Sequence, residues 1–132
     1  WKIIETPIIQ GESTKGIFSI DFYDNKNGFA IGGDYTKPLE NISNKIITND
    51  SGKTWKTIAN NQNPGYRSCV QYFPNSKGKS LVAVGFDGID VSNDGGYSWK
   101  HISDEGYYTL RFLNDCTAYA AGNGKISKLH FK

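Results

Sequence analysis

Two segments of the 132-residue chain place a carboxylate, two hydroxyls, a glycine and an indole in the same order. Residues 48–55 read TNDSGKTW and residues 92–99 read SNDGGYSW, 44 residues apart. Both fit [ST]-x-D-x-G-x-[ST]-W. These residue types at this spacing suit the closing of a hairpin turn. Asp50 and Asp94 can accept hydrogen bonds from backbone N–H groups a few residues on. Gly52 and Gly96 can take the positive φ of a tight turn. The hydroxyls of Thr48, Thr54, Ser92 and Ser98 can satisfy neighbouring polar groups. Trp55 and Trp99 then open the next strand and fill space between repeat units. The expected role of all ten residues is structural.

The other residues capable of chemistry do not form a catalytic pattern. His101 and His130 have no Cys or Asp at the spacing of a nucleophile–base pair. Ser68 and Cys69 are not set in a nucleophile elbow. Asp87 and Asp90 are separated by Gly88 and Ile89, so folding alone would decide whether they act as a pair. Cys69 and Cys116 occupy non-equivalent repeat positions, which leaves both a disulfide and free thiols open. No ligand-spaced cluster points to a metal site, and no cofactor is expected. The two arginines, Arg67 and Arg111, also lie 44 residues apart. Arg111 aligns with Asp21 and Gln71 inside a strand, whereas Arg67 precedes its strand and is the better binding candidate.

A period in the 40s with a turn motif at fixed phase predicts β-propeller blades. Three units overlay. Their first strands read SIDFY (19–23), CVQYF (69–73) and TLRFL (109–113). Alternation puts Ile20/Phe22, Val70/Tyr72 and Leu110/Phe112 on one face. Second strands end GFAIGG (28–33), LVAVG (81–85) and AYAAG (118–122), small and apolar as an inner strand requires. Third strands read KIIT, IDVS and KISKL, and fourth strands WKTIA (55–59) and WKHIS (99–103). The prediction is an all-β partial propeller of about three four-stranded antiparallel units: residues 17–59, 67–103 and an incomplete 107–131. Residues 1–4, WKII, match WKTI and WKHI and are expected to form an outer strand. Three units are fewer than the 4–8 blades of known propellers, so further blades or self-association would have to complete a ring. No helix is expected.

Net charge is +2 and no basic run occurs, so there is no nucleic-acid footprint. No apolar stretch approaches the ~18–20 residues of a helical membrane span. Blade topology puts the two longest loops, 34–44 and 60–66, on the face opposite the TNDSGKTW and SNDGGYSW turns. Loops of this kind carry function. The exposed binding candidates there are Tyr35, Lys37, Tyr66, Arg67, Phe86, Asp87, Tyr107 and Asn123, with Tyr66 and Tyr107 also placed to pack at blade junctions. Tyr and Arg are favoured anchor types.

The two octapeptides are similar to the Asp box of bacterial-neuraminidase-like (BNR) repeats. Together with GYRSCVQYFP (65–74) and LVAVGFDGIDVSNDGGYSW (81–99), they make the chain resemble bacterial seven-bladed propellers. These carry the label oxidoreductase and are related to photosystem II stability/assembly factors. The resemblance covers most of residues 17–103. It implies a secreted or periplasmic scaffold that binds protein or glycan partners, here as part of a larger propeller. Nothing in the chain supports redox chemistry: there is no dinucleotide fingerprint and no CxxC. The alternative is a neuraminidase-like glycoside hydrolase or a fragment of one. Sialidases use three arginines, a Tyr/Glu nucleophile pair and an Asp acid, and this chain holds two arginines.

Overall fold

The computed structural model describes residues 1–131. Eleven strands form three antiparallel sheets in chain order. The first contains β1 (Lys15–Phe22), β2 (Gly28–Asp34), β3 (Lys45–Thr48) and β4 (Lys56–Thr57). The second contains β5 (Cys69–Tyr72), β6 (Leu81–Gly85), β7 (Gly88–Ser92) and β8 (Lys100–Ser103). The third contains β9 (Thr109–Phe112), β10 (Thr117–Gly122) and β11 (Lys125–His130), in the order β11-β10-β9. Each sheet is a meander of sequential neighbours, as short alternating strands joined by tight turns require. The chain is all-β, and the three sheets are propeller blades.

Registers repeat between blades. Ile20 pairs with Ala30, Val70 with Ala83 and Leu110 with Ala120. In the second and third blades the small partner lets the preceding blade approach, Ala83 lying against Phe29 and Ile31, and Ala120 against Val82 and Val84. Apolar side chains from facing sheets form two cores. Phe29, Ile31 and Ile58 meet Val70, Tyr72, Leu81 and Ala83 between the first two blades. Cys69, Val82, Val84 and Ile89 meet Tyr107, Leu110, Ala118 and Ala120 between the second and third.

The innermost strands solve an edge problem. A strand edge facing a channel leaves N–H groups without sheet partners. Ser19 Oγ accepts the Val70 N–H at 3.0 Å, and Asp21 Oδ2 accepts the Tyr72 N–H at 2.8 Å. Side chains of one blade thus satisfy the backbone of the next. Burial raises the Asp21 pKa, against the pull of the Tyr72 N–H.

The two octapeptides fold into matching turns. Asp50 Oδ1 accepts the Thr54 N–H, and Asp94 Oδ1 the Ser98 N–H, each at 2.9 Å. The Thr54 and Ser98 hydroxyls donate to the second carboxylate oxygens. Thr48 and Ser92 accept the Gly52 and Gly96 N–H groups. Each indole N–H donates 3.0 Å to the carbonyl of its turn glycine, Gly52 or Gly96. Trp99 reaches back to Phe29 of the preceding blade, ring centres 5.7 Å apart.

One expectation needs correction. Residues 1–4 form no strand. The N-terminal segment is tied to the first blade, where Ile8 packs with Ala30, Ile46 and Trp55 and the Ile9 N–H bonds the Ser43 carbonyl. Trp1 and Ile3 are exposed. Ile20, Val70 and Leu110 share a face, as alternation requires, but are covered to different degrees. Val70 and Leu110 are buried, but Ile20 and Phe22 are exposed, because no blade precedes β1 among the described residues.

Candidate functional site

The loops 34–44 and 60–66 do converge at one end of the blades, and they bring aromatic rings into a row. β1 carries a register irregularity between Ile17 and Ser19. A bulge re-aims the side chain it inserts, and here that side chain is Phe18. Its ring stands edge-on to Tyr66 at 5.1 Å and to Tyr35 at 6.1 Å between centres. Tyr35 is 6.3 Å from Tyr66, and Tyr66 is 5.5 Å from Phe86. Phe18, Tyr35 and Phe86 are exposed, while Tyr66 is buried and forms the floor. Tyr66 is held by its N–H on the Pro38 carbonyl and by close packing against Gly33, whose φ is +124°. Tyr108, also exposed, lies past Phe86 in a cleft of about 150 Å³ with Gly106, Asn123 and Lys125.

Behind the row lies a buried ionic junction. Arg67 is 4% exposed, contrary to its expected place on the surface. Its Nε donates to Asp90 Oδ1 at 3.0 Å, with a second bond from the guanidinium to the same oxygen. Another nitrogen bonds Asp87 Oδ1 and the Tyr66 carbonyl. Asp90 is itself buried. Burial of this arginine follows from two carboxylates arriving from the β6–β7 turn and from β7, since a buried charge needs a paired, hydrogen-bonded partner. His101 completes the group, 3.4 Å from Asp90 and 2.7 Å from Asp104. The Asp104 hydrogen bond raises the His101 pKa.

Lys45, which sequence reasoning passed over as a strand residue, is fully buried beside this junction. Its Nζ donates to Asn44 Oδ1, the Gln62 carbonyl and the Pro64 carbonyl at 2.7–3.0 Å. Burial lowers its pKa to about 8, against the attraction of Asp90. Asn44, also buried, donates to the Pro64 and Gly65 carbonyls. These two side chains pin the loop that carries Tyr66 and Arg67.

The remaining predicted residues divide. Lys37 and Asn123 are exposed, and Asp87 is half-buried by Arg67. Tyr107 is buried at the second junction, its hydroxyl 2.7 Å from Ser127 Oγ and Lys125 Nζ 4.6 Å above its ring. Packing, not exposure, is therefore the role of Tyr66 and Tyr107. Phe18 and Tyr108 take their place on the surface. Tyr108 adjoins the predicted Tyr107 in sequence, which was a usable signal, whereas nothing in the residue types around Phe18 marked it.

Asp87 and Asp90 do meet, but on one guanidinium, so neither is a free acid or base. Among the described residues no three His, Cys, Asp or Glu side chains form a metal-holding group, and Cys69 and Cys116 are free thiols. No helix of the described residues is long and apolar enough to cross a membrane. At the opposite end, a cleft of about 640 Å³ runs between β1 and β5 past Asp21, Tyr23, Asp24, Tyr72 and Lys77. Burial raises the Tyr72 pKa, so that hydroxyl stays protonated.

No protein-family model and no curated protein matches the chain. Solved structures do. An ancestral GH74 enzyme aligns with a TM-score of 0.60 at 16% identity, over 92% of this chain and 18% of its own. YCF48 bound to D1 peptide aligns with a TM-score of 0.65 at 19% identity, over 96% of this chain and 44% of its own. The chain thus spans less than half of either structure. At these identities the likeness shows a shared fold, that of a β-propeller.

Proposed function

We propose that the chain is a non-catalytic propeller module that binds a protein or glycan partner through the row Phe18–Tyr35–Tyr66–Phe86. The observation that carries this is the row itself: three exposed aromatic rings on a buried fourth, locked from behind by Arg67 and Lys45. Rigid aromatic surface lowers the ordering cost of binding, and aromatic residues dominate binding hot spots. The peptide bound by the similarly folded YCF48 supports a peptide partner over a glycan. The two octapeptides serve as Asp-box turns that hold the blades. The compartment consistent with this reading is secreted or periplasmic.

Immobilised panels of aromatic-containing peptides and of glycans test the proposal. Wild-type protein should retain a subset, and Tyr35→Ala and Phe86→Ala should each lose it at least tenfold while melting as wild type does. Retention unaffected by both substitutions, or no retention on either panel, would refute the aromatic row as the site.

A further inference from the structure

The cleft between β1 and β5 lies at the end of the blades away from the aromatic row, and its walls come from the interior junction of the first two blades. Its volume, about 640 Å³, falls in the ~300–1,000 Å³ range of small-molecule pockets. Tyr23 and Tyr72 stand at 72° to each other with ring centres 4.9 Å apart. Tyr72 is 7% exposed and Tyr23 is 40% exposed, so one ring forms the floor and the other a side. Tyr23 is held in place: its N–H bonds the Asn27 carbonyl, and its ring occupies the space that a Cβ on Gly78 would need. Asp21 adds a half-buried carboxylate. Its Oδ2 takes the Tyr72 N–H, and no side-chain cation forms an ion pair with it among the described residues. Asp24 lies at the rim, where the Asn27 side-chain hydrogen bonds lower its pKa and keep it an anion. Lys77, the cation of the lining, is exposed.

The second junction carries the same positions with different chemistry. By register, Asp21, Tyr23 and Tyr72 correspond there to Gln71, Phe73 and Phe112. Phe73 and Phe112 are again close, 4.8 Å between ring centres, and Phe131 packs on both at 5.0 and 6.0 Å. Three phenyl rings and an amide make a core. At the first junction a carboxylate and two phenols stand in their place, and no third ring packs on the tyrosine pair among the described residues. Burial raises the Asp21 pKa, which is the cost of holding a carboxylate in such a cleft without a cation to offset it.

We propose that this cleft binds an alkylammonium group, seated between the Tyr23 and Tyr72 rings with its charge toward Asp21. Aromatic faces are electron-rich and attract ammonium cations, most strongly where water is excluded. The near-perpendicular pair offers two walls, and the carboxylate supplies the charge that the cation meets at the inner end. Asp24 at the mouth adds attraction of the same sign, and the two carboxylates disfavour an anion. A hard divalent cation is poorly served, because it needs six or more oxygen ligands and the cleft presents aromatic carbon beside a single inner carboxylate.

Choline and Nα-acetyl-lysine methylamide are the probes, titrated at fixed ionic strength by calorimetry and by NMR of the tyrosine ring protons. Dissociation constants on the order of 1 mM are expected, with the Tyr23 and Tyr72 ring resonances shifting on binding. The uncharged isostere of choline, in which carbon replaces nitrogen, should bind at least tenfold more weakly. Tyr23→Leu and Asp21→Asn should each weaken the cations at least tenfold. Asp21→Asn keeps an oxygen for the Tyr72 N–H, and if it still loses its cooperative melt, Tyr23→Leu decides alone. Tighter binding of choline identifies a quaternary ammonium as the occupant, and tighter binding of the lysine derivative a protein side chain; either result supports the proposal. No saturation by either cation up to about 20 mM overturns it. So does equal binding of the uncharged isostere, or binding that Tyr23→Leu leaves unchanged.

Discussion

Replacing Arg67 by methionine keeps the aliphatic bulk and removes the charge that both Asp87 and Asp90 face. Asp90 has 2% of its side chain exposed, so water cannot take over the lost bonds. Breaking a buried pair by removing one partner costs about 3–5 kcal/mol. Asp87 is 31% exposed and is partly solvated already, so Asp87→Asn should cost less than about 1 kcal/mol. Urea unfolding at fixed protein concentration measures both, the second as a small shift in midpoint at unchanged slope. Domain stabilities of about 5–15 kcal/mol leave Arg67→Met a measurable transition. Adding Asp90→Asn to it removes the stranded charge. The double variant should therefore be more stable than the two single effects summed, by about 2 kcal/mol. His101, 3.4 Å from Asp90, offers a further check. Its raised pKa means that it charges readily below neutrality, and the penalty of Arg67→Met should shrink at that pH. An Arg67→Met variant within about 0.5 kcal/mol of wild type would refute the claim that this junction is structural, and would return Arg67 to the list of binding residues.

Three further outcomes are expected. Asp50, hydrogen-bonded by Thr54 and Thr48, has its pKa lowered from 3.8 to about 2. Its contribution is complete above pH 3.8 and is lost as pH falls through 3.8 toward 2, so thermal melts of Asp50→Asn should lack that part of the wild-type acid slope. Lys45 runs the other way. Its pKa falls from 10.5 to about 8 on folding, so the unfolded chain binds more protons between those values. Unfolding free energy should rise from pH 8 to pH 10 in wild type relative to Lys45→Met. Gly95 and Gly96 both have positive φ, +77° and +97°, but a Cβ on Gly96 would clash with the Phe29 ring while one on Gly95 would make only an ordinary contact with the Gly78 carbonyl oxygen at 3.6 Å. Gly95→Ala should cost about 1 kcal/mol and Gly96→Ala about 3, read by urea midpoints.

The parts of the fold legible in the sequence are those whose partners are near in the chain. Asp50 and Thr54 are four residues apart, and so are Asp94 and Ser98, so residue type and spacing were sufficient to read a turn. Strand alternation was equally local: Ile20, Val70 and Leu110 do share a face. Burial along that face was not local. Val70 is covered by Phe29 and Ile31 of another blade, and Ile20 has no such blade against it among the described residues. The N-terminal WKII shows the same limit, because its sequence matches an outer strand but a strand exists only where an edge meets it.

The proposed binding end was legible as a cluster of loops and not as a set of side chains. Loop length and composition pointed to the 34–44 and 60–66 loops, and Tyr35 and Phe86 are exposed there. Arg67 was misplaced because its fate depends on Asp87 and Asp90, 20 and 23 residues later, which fold back from a different hairpin. Periodicity carries no record of which charge a buried guanidinium will find. Phe18 was missed for a related reason: regular alternation assigns it a face of β1, and the bulge that turns it toward Tyr66 has no signature in residue type. The two errors are one physical event. Arg67 sinks behind the surface because carboxylates hold it there, and the ring preceding it in sequence, Tyr66, becomes the floor on which Phe18, Tyr35 and Phe86 stand. The charge that looked like the ligand-binding group is thus what fixes the aromatic surface in place. If that is correct, Arg67→Met at a temperature where it remains folded should weaken partner binding together with stability, whereas Tyr35→Ala should weaken binding alone.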